Sequence, residues 1–363
     1  MPAPYEMTRY FEVNRVDLRR TRWTDEAVPT VDSLGPNQIA VRVDRFALTA
    51  NNVTYGLLGE QLGYWAFFPT EAGWGRIPAW GLGDVVASRH PEVRPGERLF
   101  GYVPMGSDVV LQPGRLSPAA LADASPHRAR LNPTYNHYLR LAGHRTWDSH
   151  LALLRPLVMT ALVIDAFLTD ESAFGARRIA LASASSKTAV ATAFLLSRDR
   201  PGRPEVIGLT SPAHADFCRR LTFYDRVFTY DDVEAVPTGV PTVLLDMSGN
   251  AAVRAALHGH LRNDLTYSGQ VGWTHWDQGQ TAEPLPGVAP MFFSSLEHIR
   301  RRSKEWGAAE FETRFDAAWQ AFLPVIQDWL RIVHGRGRAA VEQAYEALLN
   351  GRARPEVGHI LSV

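Results

Sequence analysis

Ile39, Val41 and Val43 alternate with more polar neighbours along residues 37–50, and this period of two predicts a half-buried strand. Residues 76–112 are cut at short intervals by Gly81, Gly83, Pro91, Pro95, Gly96 and Gly101. Between the cuts lie short β-rich pieces, Asp84–Ser88 and Arg98–Val103. Many short strands with frequent turn signals predict a small barrel, so roughly the first 115 residues are expected to be all-β.

The pattern then changes. Residues 149–168 form an apolar helical stretch. Short buried strands are predicted at Arg178–Ala182, Glu205–Thr210, Arg226–Thr229 and Thr242–Asp246, with a fifth within 265–272. Helical segments separate them at Lys187–Ser197, Ala213–Leu221 and Ala251–His260. Strand and helix alternating at this spacing predict parallel βαβ units. The tail from about 308 to 350 is expected to be helical, since Trp319, Phe322, Ile326, Trp329 and Leu330 recur at helix spacing. Residues 358–363 predict a closing strand.

Composition narrows the function classes. Of 363 residues, 45% are hydrophobic and 21% charged, as in soluble globular proteins, which excludes a disordered chain and a membrane bundle. Thirty-eight Lys and Arg balance 38 Asp and Glu, so no basic footprint for nucleic acid is present at the level of the whole chain. The single cysteine, Cys218, can form neither an internal disulfide nor a Cys-rich zinc site. The N-terminus lacks the form of a signal peptide, and the apolar run Leu157–Leu168 contains Asp165 and is too short for a bilayer. A cytoplasmic protein without nucleic-acid or membrane partners is expected.

The first βα turn carries the strongest chemical signal. A dinucleotide-binding turn needs small residues, so that backbone N–H groups can approach a pyrophosphate at the helix N-terminus. Ala182-Ser-Ala-Ser-Ser-Lys-Thr-Ala189 places Ser183, Ser186 and Ala189 at the spacing where glycines usually stand. Ser185, Lys187 and Thr188 add hydroxyls and a cation. The same serines also suit an ordinary N-cap, and Lys187 a solvated helix position. At the end of the second strand, Thr210 and Ser211 stand where a carboxylate would hold an NAD ribose. Without that carboxylate the pattern favours NADP(H), although Ser211-Pro212 also suits a turn opening the next helix.

Taken together, these pieces resemble the medium-chain dehydrogenase/reductase superfamily, nearest its zinc-free quinone-oxidoreductase-like branch, in a little-characterised bacterial subgroup. The similarity follows the family's order over nearly the whole chain. Phe46-Ala-Leu-Thr-Ala-Asn51-Asn52, with Tyr55-Gly56 after it, resembles the early strand and active-site Asn segment. Val93-Arg-Pro-Gly-Glu-Arg-Leu-Phe-Gly101 is similar to the barrel stretch with its Pro-Gly turn, and Leu157–Ala161 to the Thr-Ala helix. Tyr224–Tyr230, Leu245–Gly249 and Gly358–Leu361 resemble later strands, with His359 in place of lysine in the last. The resemblance implies an α/β plus β fold: a GroES-like β-barrel catalytic domain, 1–150 with 301–363, and an inserted Rossmann-type doubly wound parallel sheet at 151–300. It also adds Ser248, after the fourth strand, to the cofactor-binding candidates. The early Cys and Gly-His-Glu of zinc-dependent members are absent, so no metal is carried over.

Without a metal, hydride addition needs hydroxyl or amide donors to hold the developing oxyanion. Asn51 and Tyr55 on the matched segment are catalytic candidates, with Tyr135 from the cluster Asn132–Tyr138 and His275 after the fifth strand. Asn52, Tyr64, Trp80 and Asn136 are candidate substrate contacts. The alternatives are turn chemistry around Asn132-Pro133, a surface position for His275, and a hydrophobic cluster under a loop for Phe67 and Phe68. The leading expectation is an NADP(H)-dependent, zinc-independent oxidoreductase, as a homodimer, acting on a small carbonyl or enone. A lyase-type enzyme on the same scaffold, or a nucleotide-binding protein without catalysis, remains open.

Overall fold

The computed structural model describes residues 7–144, 146–198, 201–271 and 284–363. The chain divides into two compact units. One comprises Met1–Leu153, Ile332–Ala353 and Val357–Val363, and the other Leu154–Arg331 and Arg354–Glu356.

In the first unit, Met7–Asn14 lies between Thr21–Ala27 and Trp74–Gly75 in a small antiparallel sheet. A wider sheet runs Arg331–Arg336, Val357–Ser362, Ile39–Leu48, Pro78–Ser88, Arg98–Pro104, His137–Leu141, Ala120–Asp123, Pro113–Leu116, with Asp108–Leu111 also on Ile39–Leu48. Ile39, Val41 and Val43 are buried and Arg42 is exposed, as the period of two predicts. The closing strand pairs antiparallel with Ile39–Leu48, His359 opposite Leu48.

Two expectations about this unit are corrected. Gly81 and Gly83 do not break the chain but lie inside one strand, Pro78–Ser88. A Cβ there would come within 2.6 Å and 2.5 Å of the Arg45 and Arg42 carbonyl oxygens, so the glycines permit close strand contact at a bulge. The region is also not all-β: Ala50–Leu57 is a helix. Thr49 caps it with extended backbone, and the Asn52 carboxamide accepts from the Thr49 N–H at 2.8 Å.

The second unit is built on a parallel sheet in the spatial order Arg226–Thr229, Glu205–Thr210, Arg178–Ala182, Thr242–Asp246, Leu265–Gln270, Met291–Phe292. This is the doubly wound order of dinucleotide-binding folds, with the first strand central. Arg178–Ala182 and Thr242–Asp246 are buried throughout, because helices cover both faces of such a sheet. The 23-residue helix Asp148–Asp170 is apolar enough to cross a membrane, yet 61% of its most apolar window is buried inside the protein, as in a core helix.

The tail departs from the expected continuous helix. Helix Ala308–Ile326 is followed by strand Arg331–Arg336 and helix Arg338–Leu349. Gly337, at φ 83°, turns the chain between strand and helix, a conformation that favours glycine. Residues 301–331, expected with the barrel, group with the parallel sheet. Their apolar face explains why: Phe322 packs on Phe194 at 4.9 Å, and Arg155 lies over Phe315 at 4.1 Å while pairing with Glu312.

Candidate functional site

Two groups of polar side chains stand out, one in each unit. The first is a cluster of tyrosines. Tyr55 comes from helix Ala50–Leu57, Tyr64 from the turn Tyr64–Ala66, Trp80 and Tyr102 from neighbouring strands, and Tyr135 from the turn Pro133–Asn136. The Tyr102 and Tyr135 rings stack at 4.5 Å and 14°. Tyr55 lies 4.6 Å from Tyr64, and Trp80 lies 4.9 Å from Tyr102 and stacks on Phe100 at 5.6 Å. Phe67 closes the side next to Tyr102 and Tyr135. The Tyr64 and Tyr135 hydroxyls are 3.1 Å apart.

All four phenols are buried, and burial pushes their pKa values above the usual tyrosine range. They are therefore neutral at physiological pH and able to donate. The Tyr55 hydroxyl faces Trp80, Tyr102, Asn51 and Tyr135. Tyr102 Oη and Trp80 Nε1 are buried without a partner at hydrogen-bond geometry. Such atoms are costly unless something else satisfies them.

Structural work takes the rest of the amide set. Asn52 is spent on the helix cap and on the Pro78 carbonyl, 2.8 Å from Nδ2. Asn136 Nδ2 donates to the Arg128 carbonyl at 3.4 Å, while its Oδ1 is buried without a partner. Asn51 and Trp80 are half-buried, on the accessible side of the cluster.

Sequence reasoning missed Tyr102 and Arg128. Arg128 is buried, pairs with Asp123 at 3.0 Å, and donates to the Phe67 carbonyl and to Tyr138 Oη. Tyr138 Oη in turn donates to the Tyr102 carbonyl at 2.5 Å. Its ring lies over Gly101, where a Cβ would come within 2.3 Å. The available signal was the spacing of Phe100 and Tyr102 along a recognised strand, which places both aromatics on one face.

The second group is the serine turn after Arg178–Ala182. Ser183 takes left-handed backbone at φ 63°, and its N–H donates to Tyr230 Oη at 2.9 Å. Ser185 Oγ lies 3.2 Å from His214 Nδ1 and 3.3 Å from the donating Thr210 Oγ1. Ser186 is the N-cap and accepts from the Ala189 N–H. Lys187 opens the helix, but its ammonium is not a free cation over the turn. Lys187 Nζ donates to the Pro355 carbonyl at 3.0 Å, and burial lowers its pKa to about 8 against the opposing pull of Glu356.

Thr188 lies half-buried in the same helical turn, and Ser211 half-buried before the turn Pro212–His214. Ser248 is buried at the strand-to-helix connection after Thr242–Asp246, where its hydroxyl donates to Asp246 at 2.6 Å and accepts from the Asn250 N–H. Asp246 also pairs with buried Arg254 at 2.9 Å. His275 lies outside the described residues. Among the described residues, no group of three or more His, Cys, Asp or Glu side chains is placed to hold a metal ion.

No curated protein matches the chain. Solved structures do, at low identity. CurA from Vibrio vulnificus in complex with NADPH superposes with a TM-score of 0.67 at 12% identity, over 98% of this chain and 99% of that one. A CurK enoyl reductase gives 0.59 at 13% identity over 98% and 99%. Mycobacterial Rv1454c complexed with NADPH gives 0.58 at 14% identity over 99% and 100%. At such identities the likeness shows the fold alone, a GroES-like barrel with a Rossmann-type unit. A family profile matches residues 46–354, and the chain therefore belongs to the family described as "Protein of unknown function (DUF2855)".

Proposed function

We propose that this protein is a zinc-independent, NADP(H)-dependent oxidoreductase acting on a small carbonyl or enone. The observation that carries this reading is the buried, neutral phenol cluster, in which the Tyr55 hydroxyl faces Tyr102 and Trp80 while Tyr102 Oη and Trp80 Nε1 make no bond of full hydrogen-bond geometry. A carbonyl oxygen satisfies such donors, and neutral donors strengthen their hold as negative charge develops on that oxygen. Similar folds crystallised with NADPH, and one described as an enoyl reductase, support the reaction class.

The serine turn fits a dinucleotide in part. The backbone N–H groups of Lys187 and Thr188 open the helix, where no intrahelical partner exists and a phosphate is stabilised. Thr210 and Ser211 stand at the end of the second strand with no carboxylate to repel a 2′-phosphate. NADPH, when bound, would supply a hydride. The protein's own part is to hold the substrate oxygen with Tyr55 and Tyr102, keep water from it with the surrounding rings, and donate a proton or hydrogen bond there.

A second reading, a protein on this scaffold that binds no dinucleotide, draws on the bonds Ser183, Ser185 and Lys187 already make within the protein. Titration with NADPH, NADP⁺ and NADH, followed by Trp fluorescence and thermal shift, separates the two. The first reading expects saturable stabilisation that grows as RT ln(1 + [L]/Kd), strongest with the phosphorylated cofactors. It also expects NADPH oxidation with an enone that survives EDTA. A flat response to all three cofactors leaves the second reading.

A further inference from the structure

The serine turn keeps a conformation that its sequence does not favour. Ser183 holds left-handed backbone at φ 63°, where a Cβ is crowded and glycine is the ordinary choice. Two tyrosines act on this backbone. The Ser183 N–H donates to Tyr230 Oη at 2.9 Å, and Tyr224 Oη donates to the Ala184 carbonyl at 2.7 Å. Tyr224 stands just before strand Arg226–Thr229 and Tyr230 just after it, so both ends of one strand fasten one turn. Tyr224 is buried, and Gly208 on the neighbouring strand Glu205–Thr210 makes space for its ring. A Cβ at Gly208 would lie 2.9 Å from Ala184 Cβ and 3.0 Å from the Tyr224 ring. The remaining backbone groups of the two residues are also used. The Ala184 N–H donates to the Leu209 carbonyl at 3.0 Å, and the Ser183 carbonyl accepts from the Ser186 N–H at 2.8 Å. Ser183 and Ala184 are buried, whereas Ser185, Ser186, Lys187 and Thr188 keep partial exposure. The clamped residues therefore lie inside, and those that open the helix remain accessible.

Resting on the reading of this turn as the cofactor's phosphate turn, we infer that Tyr230 and Tyr224 are positioning residues. In place of glycine, they hold the left-handed backbone that sets the Lys187 and Thr188 N–H groups for the dinucleotide. Neither phenol needs to touch the cofactor to do this. Without the Tyr230 oxygen, the Ser183 N–H loses its acceptor and the strained backbone relaxes, moving the start of the helix with it. With glycine at position 183 the same backbone is unstrained, and the phenol is no longer required. The two positions are therefore coupled: the cost of losing Tyr230 depends on what stands at 183.

A double-mutant cycle on the full-length protein tests this, with Tyr230→Phe, Ser183→Gly and the two together, and NADPH affinity read by Trp fluorescence. Tyr230→Phe is expected to weaken NADPH roughly tenfold with Ser183 in place, and less than about threefold with glycine there. Tyr224→Phe should act in the same direction as Tyr230→Phe. A phenol that only supports the fold gives equal losses in both backgrounds. Equal losses, or no loss with Ser183 in place, would overturn the inference. Hydrogen exchange of the turn, measured by mass spectrometry without cofactor, gives a readout independent of binding. Tyr230→Phe should raise deuterium uptake at the Ala184 and Ser186 amides as well as at Ser183, and Ser183→Gly should return the excess to the amide of residue 183 alone. Unchanged uptake in Tyr230→Phe, or an excess that glycine leaves intact, also overturns it. Exchange that follows the cycle in a protein with no response to NADPH, NADP⁺ or NADH sinks the cofactor reading and leaves the hold of the tyrosines on the turn standing. Saturable NADPH binding with equal losses in both backgrounds does the reverse.

Discussion

The phenol cluster and the serine turn are both collections of hydroxyl groups, but the protein treats them differently. In the turn, Ser185 and Ser186 each bond to another protein group and Lys187 is tied to the Pro355 carbonyl, and Ser248, at the connection after Thr242–Asp246, bonds to Asp246. In the phenol cluster, Tyr102 Oη and Trp80 Nε1 are buried, face the Tyr55 hydroxyl and make no bond of full hydrogen-bond geometry. A satisfied hydroxyl holds a fold together, whereas a buried unsatisfied one is a cost that a ligand can remove. The contrast teaches that residue type alone does not mark a site; the state of the hydrogen-bond partners does.

The largest expected effect tests whether the turn side is structural. Asp246→Ala leaves the buried Arg254 guanidinium unpaired and removes the acceptor of Ser248. Urea unfolding should show a loss of about 3–5 kcal/mol. A loss below 1 kcal/mol would mean that this network is not holding the connection.

Next is the phenol side, where function should fall and stability should not. Tyr55→Phe keeps the ring and removes the hydroxyl that faces Trp80, Tyr102 and Tyr135. With an active enone in hand, kcat should drop about 10²–10³-fold, the usual cost of one oxyanion donor, at an unchanged melting temperature. Full kcat with normal stability makes Tyr55 a packing residue.

The third test returns to Lys187. Its amine titrates near 8 in the fold and near the ordinary 10.5 when unfolded. Between those values the unfolded chain binds more protons, so stability should rise as pH goes from about 8 to 10.5. Lys187→Met should remove that rise, measured as the pH dependence of urea midpoints. Parallel profiles for the two proteins would show that the amine is not desolvated.

The smallest expected effect is at Ser183. An L-residue at φ 63° is strained, and glycine relieves it. Ser183→Gly keeps the backbone N–H bond to Tyr230 and should stabilise by up to ~1 kcal/mol. A net loss would show that the Ser183 side chain matters more than the strain.

The sequence made much of the parallel-sheet unit legible. Arg178–Ala182, Glu205–Thr210, Arg226–Thr229 and Thr242–Asp246 emerge with the bounds their apolar runs predict, as does helix Lys187–Ser197. Buried parallel strands are short and continuously apolar, so local composition marks their ends. The barrel unit was harder to read. Gly81 and Gly83 look like breaks but permit close packing inside a strand, and the helix Ala50–Leu57 is only eight residues long and rests on a Thr49–Asn52 cap. Strand Arg331–Arg336 was hidden in a helical reading because its partner, Val357–Ser362, lies more than twenty residues away.

By itself, then, the chain determined the alternation of strands and helices, the absence of a glycine-rich phosphate turn, and the choice of Tyr55, Tyr64, Trp80 and Tyr135 as polar aromatics worth watching. Those follow from periods of 2 and 3.6 and from residue chemistry, which are local properties. Only the tertiary structure added Tyr102 to that set, tied Lys187 to Pro355, spent Asn52 on a cap, and left Tyr102 Oη and Trp80 Nε1 without a bond of full hydrogen-bond geometry. The physical reason is that hydrogen-bond satisfaction and desolvation depend on groups brought together from distant parts of the chain. Tyr55 and Tyr135 are eighty residues apart in sequence, and their rings lie 6.3 Å apart in the fold.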